Sequence, residues 1–204
     1  MFKKHKDWIF LNLPAIFLFI FAFLMPDARG LMLSTLGYCA LALLIIVLSL
    51  NPLISLFPTR VFLKKLNHHR RIIGVAVFTY GFCHAFLYIQ KKGWSFFTQW
   101  LFHPIIVPAF LALIIFSILA ITSNKVSLKK LGFPLWKRIH NKVYIAEALI
   151  FIHMLLQGGT TRLVATSVFP PLWMLQYIRR KKRQRKAALK QQADEAVRLS
   201  SRAP

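Results

Sequence analysis

Acidic residues are scarce in this sequence, which has five aspartates and glutamates against 28 lysines and arginines and a net charge of +23. In a soluble protein such an imbalance indicates a negatively charged partner, nucleic acid above all. However, only 16% of the residues are charged, whereas 57% are hydrophobic. A soluble domain of 204 residues could not bury that much apolar surface. The composition therefore favours a membrane protein, and we predict no nucleic-acid partner.

Cysteine and nucleotide-binding motifs are also missing. The two cysteines, Cys39 and Cys83, both lie in apolar segments far apart in sequence, which excludes a disulfide framework and a paired-cysteine zinc or redox motif. Phe82-Cys83-His84 is not the CxxCH motif that attaches heme covalently. The sequence contains neither GxGxxG nor a Walker loop. We therefore expect no flavin or nicotinamide domain within this chain, and any heme would be held by coordination.

What the sequence does have is a series of long apolar runs. A helix needs about 20 apolar residues to cross roughly 30 Å of hydrocarbon. We predict an all-α bundle of about six transmembrane helices within residues 1–178, and a basic cytoplasmic tail at 179–204. Prolines inside three of the spans, at positions 14, 108, 170 and 171, predict kinks or interruptions. The six predicted spans are 8–25, 31–50, 71–90, 104–122, 142–157 and 163–178.

Lysines and arginines are concentrated in alternate segments between these spans. The positive-inside rule therefore predicts that both termini are cytoplasmic. The N-terminal basic residues resemble the start of a signal peptide, but the apolar stretch is long and no cleavage site follows, so we expect a retained first helix. We expect the basic stretch 179–190 to contact anionic lipid, with docking of an acidic soluble partner as the alternative. Of the 28 basic residues, 24 lie in 1–7, 51–71, 123–142 and 179–204.

Two histidines lie deep within predicted spans, His84 in the third and His153 in the fifth. An unpartnered polar group in hydrocarbon costs several kcal/mol, so a membrane histidine is a candidate functional residue. Both lie about 13 residues from the cytoplasmic start of their helices, and both helices run outward, so the rings reach a similar depth. They could ligate one heme iron, and two histidine ligands suit electron transfer. The alternative is a hydrogen bond from each ring to a backbone carbonyl of a neighbouring helix.

A third histidine, His140, lies near the cytoplasmic start of the fifth span and predicts a second, inner heme layer. Thirteen residues place His140 about 140° from His153 around an ideal helix, so a shared face requires overwinding or a non-helical start at His140. His69 could be the other inner ligand, or a solvated loop histidine. Basic residues could neutralise heme propionates, or could simply be topology charges. The candidates are Arg70, Arg71, Lys137 and Arg138 for an inner heme and Arg162 for an outer one.

An acidic residue, Glu147, stands in the fifth span seven residues after His140, which predicts that the two share a helical face. Glu147 could tune an inner heme or relay a proton. It could equally be a structural residue that pairs with a loop lysine.

Several stretches resemble the MsrQ (YedZ) family, which belongs to the ferric reductase-like transmembrane superfamily. They are the Arg70-Arg71-Ile-Ile-Gly stretch leading to His84 and Tyr88, Leu-Ala-Ile-Thr-Ser-Asn at 119–124, Lys-Lys-Leu-Gly at 129–132, and Trp136-Lys-Arg-Ile-His140 through Tyr144 to His153. The resemblance implies heme b on His84, His140 and His153, with FMN as a possible second cofactor. It also implies the bacterial inner membrane, and electrons that pass from a cytoplasmic flavin reductase or quinone to a periplasmic molybdopterin enzyme, MsrP, that reduces methionine sulfoxide.

We therefore expect a heme b membrane subunit that carries electrons and does not itself reduce the final substrate. One alternative is a stand-alone ferric reductase-like cytochrome b with another acceptor. The other is a heme-free transporter or scaffold.

Overall fold

The computed structural model describes residues 2–93, 95 and 102–200, and within these ranges the chain is helical, with no strand. The all-α class predicted from the sequence is therefore confirmed. The last four residues of the predicted tail lie outside the described residues. The helices are α1 (Phe2–Leu24), α2 (Arg29–Leu56), α3 (Val61–His68), α4 (Arg70–Lys92), α5 (Ile106–Ile121), α6 (Lys125–His140), α7 (Val143–Gln157) and α8 (Gly159–Ser200), and a 3-10 turn (Pro26–Ala28) precedes α2.

Each of the six predicted spans coincides with a helix, but the helices differ in length. Within the described part of the chain, three stretches are long and apolar enough to cross a membrane: Pro26–Leu56, Arg70–Lys92 and Lys125–Gln157. Trp8–Leu24 and Ile106–Ile121 are apolar but shorter. The predicted sixth span lies in the first half of α8. The count of six spans and the cytoplasmic placement of both termini stay predictions.

The centre of the bundle is formed by α2 and α4, which pack along each other. Alanines allow close approach of helices, and Ala15, Ala22 and Ala76 are fully buried where α1 meets this pair. A second cluster joins α2 and α4 to α5, α7 and α8 through Val47, Val77 and other apolar residues. Large apolar side chains also cover the outside. Because Phe10 and Phe17 are 79% and 66% exposed, the outer surface of α1 suits lipid.

The prolines act less uniformly than the sequence predicts. Pro108 lies in the first turn of α5, where its missing N–H costs no helical hydrogen bond. Pro108 therefore falls within the helix of the predicted span, but its position in the first turn gives no cause for the predicted kink. Pro170 and Pro171 lie inside α8, which continues as helix past both of them to Ser200. The apolar part of α8 and the predicted basic tail thus form one helix.

The region before α7 contains two breaks in the helix. Gly132 adopts φ 70° and ψ 156° inside α6, a conformation that favours glycine and divides α6 into two segments. Asn124 caps the first segment at its N-terminus: its side chain accepts a hydrogen bond from the Ser127 backbone N–H at 2.6 Å. The second ends at His140, and α7 begins at Val143. His140 therefore lies at the end of α6 and not within α7, which agrees with the predicted non-helical start.

Candidate functional site

His84 and His153 line the same cavity, which has a volume of about 550 Å³. His84 comes from α4 and His153 from α7, while α2 and α5 supply much of the remaining wall. This volume is in the range of small-molecule and cofactor sites, and such sites are lined mainly by apolar and aromatic side chains. The structure thus brings together the two histidines that the sequence paired by depth. Their neighbours in the wall include Leu41, Val77, Phe82, Phe86, Phe110 and Phe116.

Each of these rings is held by a backbone carbonyl of a neighbouring segment. His84 Nδ1 lies 2.8 Å from the Leu33 carbonyl oxygen, and His153 Nδ1 lies 2.7 Å from that of Ile105. A carbonyl oxygen can only accept, so Nδ1 must carry the proton in both rings. In a neutral imidazole Nε2 then has the free lone pair, which is the tautomer needed for coordination through Nε2.

The carbonyl contacts match the alternative that the sequence left open, but they satisfy only one nitrogen of each ring. Within the ranges that the structure describes, neither Nε2 atom has a hydrogen-bond partner. Both rings face a cavity whose wall is largely apolar. The carbonyl contacts therefore orient the rings and leave one nitrogen of each for a ligand.

Gly37 of α2 provides the space for the His84 ring. A Cβ atom at position 37 would lie 2.9 Å from His84 Nδ1 and 3.0 Å from His84 Cε1, closer than side chains normally approach. Because Gly37 has no side chain, the His84 ring can reach the carbonyl of Leu33, which lies one turn before Gly37 on α2. Gly37 could not be singled out from the sequence, because its role depends on how α2 approaches α4.

His140 lies outside this cavity wall and has other contacts. Its Nε2 is 3.1 Å from the Thr122 hydroxyl oxygen, and its ring stacks on Trp136 with centroids 4.0 Å apart and planes at 26°. The Trp136 indole N–H donates to the Thr122 carbonyl at 3.0 Å. His140 is thus part of a packed junction between α5 and α6.

The other predicted site residues are spread over the ends of the helices. His69 precedes α4 and packs edge-on against His68 with ring centroids 5.5 Å apart. Arg71 donates from Nε to the Ser123 carbonyl, whereas Arg138 is exposed near the end of α6. Arg162 is exposed and donates to the Leu155 carbonyl at 3.0 Å. Arg162 directly follows a residue of the cavity wall, Thr161, so it is the predicted propionate partner nearest in sequence to the cavity.

Glu147 lies in α7 and is buried against α8. Gln176 Nε2 donates to both carboxylate oxygens, at 3.0 Å and 3.1 Å. Gln176 is therefore a partner of Glu147, whereas one alternative from the sequence was a loop lysine. The expectation that Glu147 shares a helical face with His140 is wrong, because the two residues belong to different helices.

The sequence model of one family, the ferric reductase like transmembrane component, matches residues 34–151. The chain belongs to this family. The matched range contains His84 and His140 and ends just before His153. The superfamily predicted from the sequence is confirmed, and the family together with the apolar helices indicates an integral membrane protein.

Curated relatives include magnetosome and methionine sulfoxide reductase proteins. The chain is 30% identical over 147 residues to magnetosome protein MamZ of Magnetospirillum gryphiswaldense, covering 68% of this chain and 22% of that protein. It is 28% identical to MamZ of Paramagnetospirillum magneticum with the same coverage. It is 32% identical over 118 residues to the protein-methionine-sulfoxide reductase heme-binding subunit MsrQ of Deinococcus radiodurans, covering 55% of this chain and 56% of that protein.

The chain thus spans about a fifth of the length of the MamZ proteins and about half that of this MsrQ. No solved structure gives a significant match. The likeness to MsrQ that was inferred from the sequence is confirmed as a relation between the chains.

Proposed function

We propose that this protein binds heme b between His84 and His153 and serves as a membrane electron-transfer subunit. The observation that carries the proposal is the shared cavity. Two oriented imidazoles from different helices line it, and neither Nε2 atom has a hydrogen-bond partner among the described residues. The relation to MsrQ, whose name describes a heme-binding subunit, supports the same cofactor. The cavity accounts for one heme per chain. The second heme predicted from the sequence, on His140 with His69 opposite it, would require His140 Nε2 to leave the Thr122 hydroxyl, so we propose a single heme.

The residues of the cavity have distinct tasks in this proposal. The Leu33 and Ile105 carbonyls fix the two Nδ1–H groups, so that both Nε2 lone pairs would be available to hold a heme iron. Heme held by His84 and His153 would supply one-electron transfer. The phenylalanines of the wall exclude water and lower the local dielectric, which tunes the potential. Arg162, which follows the wall residue Thr161, is the proposed partner of a propionate of the heme in this cavity. Arg70, Arg71 and Arg138 would pair with the propionates of an inner heme.

We further propose the route of the electrons by analogy with MsrQ. The donor is a cytoplasmic flavin reductase or a membrane quinone, with FMN as a possible additional cofactor. The acceptor is a periplasmic MsrP-like molybdopterin reductase. The distribution of basic residues supports an inner-membrane protein with both termini in the cytoplasm, and supports contact of 179–190 with anionic lipid.

The family description favours a second candidate, a cytochrome b that delivers electrons to ferric iron or another acceptor without a methionine sulfoxide reductase. The two are distinguished by mixing the reduced protein with a purified MsrP-like enzyme or with a ferric chelate. Rapid heme oxidation by one acceptor and not the other assigns the function.

The heme proposal is tested by the dithionite-reduced minus oxidised visible spectrum of the purified protein, with heme quantified per chain. Wild type is expected to show a b-type spectrum that is lost in His84→Ala and in His153→Ala. His68→Ala is the matched control, because His68 is exposed at the end of α3 and should leave heme binding unchanged. A colourless wild type after expression with ample heme would overturn the proposal and favour a transporter or scaffold.

A further inference from the structure

Glu147 is the one acidic residue within the six apolar segments of the sequence, and its side chain is only 1% exposed. It lies one turn into α7, four residues after the helix begins at Val143. Placing a carboxyl group in such a position is costly unless the group is paired, hydrogen-bonded or protonated.

The hydrogen-bond partners of this carboxyl are neutral side chains of α8. Gln176 is itself 8% exposed, and its single NH₂ group serves both carboxyl oxygens. The Trp173 indole N–H is a second donor, and Arg180 acts on the carboxyl electrostatically, although no ion pair with Glu147 is formed among the described residues. Two neutral donors and a cation that makes no ion pair offset only part of the cost of burying a full negative charge.

The charged groups around Glu147 lie on the side where α7 begins. On α8 the cation that acts on Glu147 is Arg180, whose guanidinium lies 5.8 Å from the centroid of the Tyr144 ring on α7. Arg70 of α4 interacts electrostatically with the same tyrosine and with Arg179 of α8. The neighbouring α5 contains no ionisable residue, and the ionisable residues of α2 (Arg29, Tyr38 and Cys39) lie in its first half. The arginine cluster therefore stands at the same end of α7 as Glu147, and protons would reach the carboxyl from that end.

Glu147 is also close to the proposed heme along the helix. Six residues separate it from His153, a rise of about 9 Å along α7. The iron would lie farther away than this rise, because Glu147 faces α8 whereas His153 faces the cavity. Within an apolar bundle charges still interact over such distances, because neither water nor salt screens them well. A negative charge on Glu147 disfavours an added electron at the iron, and protonation of Glu147 removes this effect.

We propose that Glu147 is a proton-binding site coupled to electron transfer: it takes up one proton when the site receives an electron and releases it when the electron leaves. The Glu147 carboxylate becomes a carboxylic acid as ferric iron is reduced to ferrous iron by the electron of the donor, and the proton comes from water at the α6–α7 end. This inference rests on the proposed function, since it requires the heme at His84 and His153.

The test is redox potentiometry of the heme in the purified protein at a series of pH values. The wild-type midpoint potential should fall with rising pH, by up to about 59 mV for each tenfold drop in proton concentration where Glu147 titrates. In Glu147→Gln, a neutral side chain of the same shape, this part of the pH dependence should vanish and the potential should stay at the low-pH wild-type value. Asp27→Asn, which removes an exposed acid that does not line the cavity, should behave as wild type.

Redox-difference infrared spectroscopy provides a second readout. Reduction should produce a carboxylic acid carbonyl band in wild type and in Asp27→Asn, and the band should be absent in Glu147→Gln. A heme-containing wild type whose potential changes with pH in the same way as Glu147→Gln, with no such band, would overturn this inference and leave the heme proposal intact. A colourless wild type would overturn both.

Discussion

Two histidine-containing regions of this protein differ in what surrounds the ring. In the cavity, His84 and His153 each donate from Nδ1 to a carbonyl and turn Nε2 toward shared space. At the α5–α6 junction, His140 uses Nε2 for the Thr122 hydroxyl and stacks on Trp136. The first arrangement suits coordination of a metal centre between helices, whereas the second stabilises the end of a helix. From the sequence all three histidines were candidate heme ligands, with His84 and His153 at one depth and His140 at another.

The comparison indicates that a histidine is available as a ligand only when the ring nitrogen that would coordinate is not already used in another contact. A carbonyl partner fixes the tautomer that leaves Nε2 basic, and the close approach of Gly37 permits that contact for His84. At the junction the nitrogen that would coordinate is already occupied. Substitutions at Gly37 and at His140 test the cavity and the junction separately.

Substitution of Gly37 by alanine should have the largest effect. The added methyl group overlaps His84 Nδ1 and Cε1, so the ring must move away from the Leu33 carbonyl. Loss of such a supporting contact costs about tenfold in affinity for a bound metal centre. We expect Gly37→Ala to bind heme about tenfold more weakly in a titration of the heme-depleted protein.

A matched glycine separates this effect from a general effect on the helices. Gly74 of α4 has nothing within 4 Å of an added Cβ, so Gly74→Ala should bind heme as wild type does. Alanine in place of a helical glycine favours the helix by about 1 kcal/mol, so neither variant should unfold. Equal heme affinity in both variants would show that Gly37 does not position His84.

Substitution of His140 by alanine should affect stability more than heme binding. The variant loses the stacking on Trp136 and the hydrogen bond with Thr122, which together contribute about 1 to 2 kcal/mol. We expect a lower thermal unfolding temperature in detergent, followed by tryptophan fluorescence, with the heme content per chain unchanged. A heme content that falls by half would instead place His140 among the ligands and break the contrast between the two regions.

The helices could be predicted from the sequence because long apolar runs have few other solutions in a bilayer. Their ends could not. Pro108 begins α5 instead of bending it, and α8 continues through Pro170 and Pro171, because local packing decides whether a proline ends a helix. The poor helical phase between His140 and His153 left two alternatives, overwinding or a non-helical start at His140, and the break between α6 and α7 matches the second.

Part of the candidate site was also accessible. Similar residue counts from the cytoplasmic side paired His84 with His153, and both histidines line one cavity although the count for His153 started at His140, across the break between α6 and α7. The roles of Gly37 and of the Leu33 and Ile105 carbonyls could not be predicted, because nothing in the sequence distinguishes these groups from the other glycines and carbonyls of the chain. The partner of Glu147 was missed because Gln176 is 29 residues away and is brought close only by the packing of α8 on α7.

The most direct test of the account is the spin state of the oxidised protein by electron paramagnetic resonance. Two histidine ligands leave no open position on the iron, so wild type should be low-spin, and any heme retained by His84→Ala or His153→Ala should become high-spin. A high-spin wild type, or a low-spin signal that survives in both variants, would contradict coordination by His84 and His153.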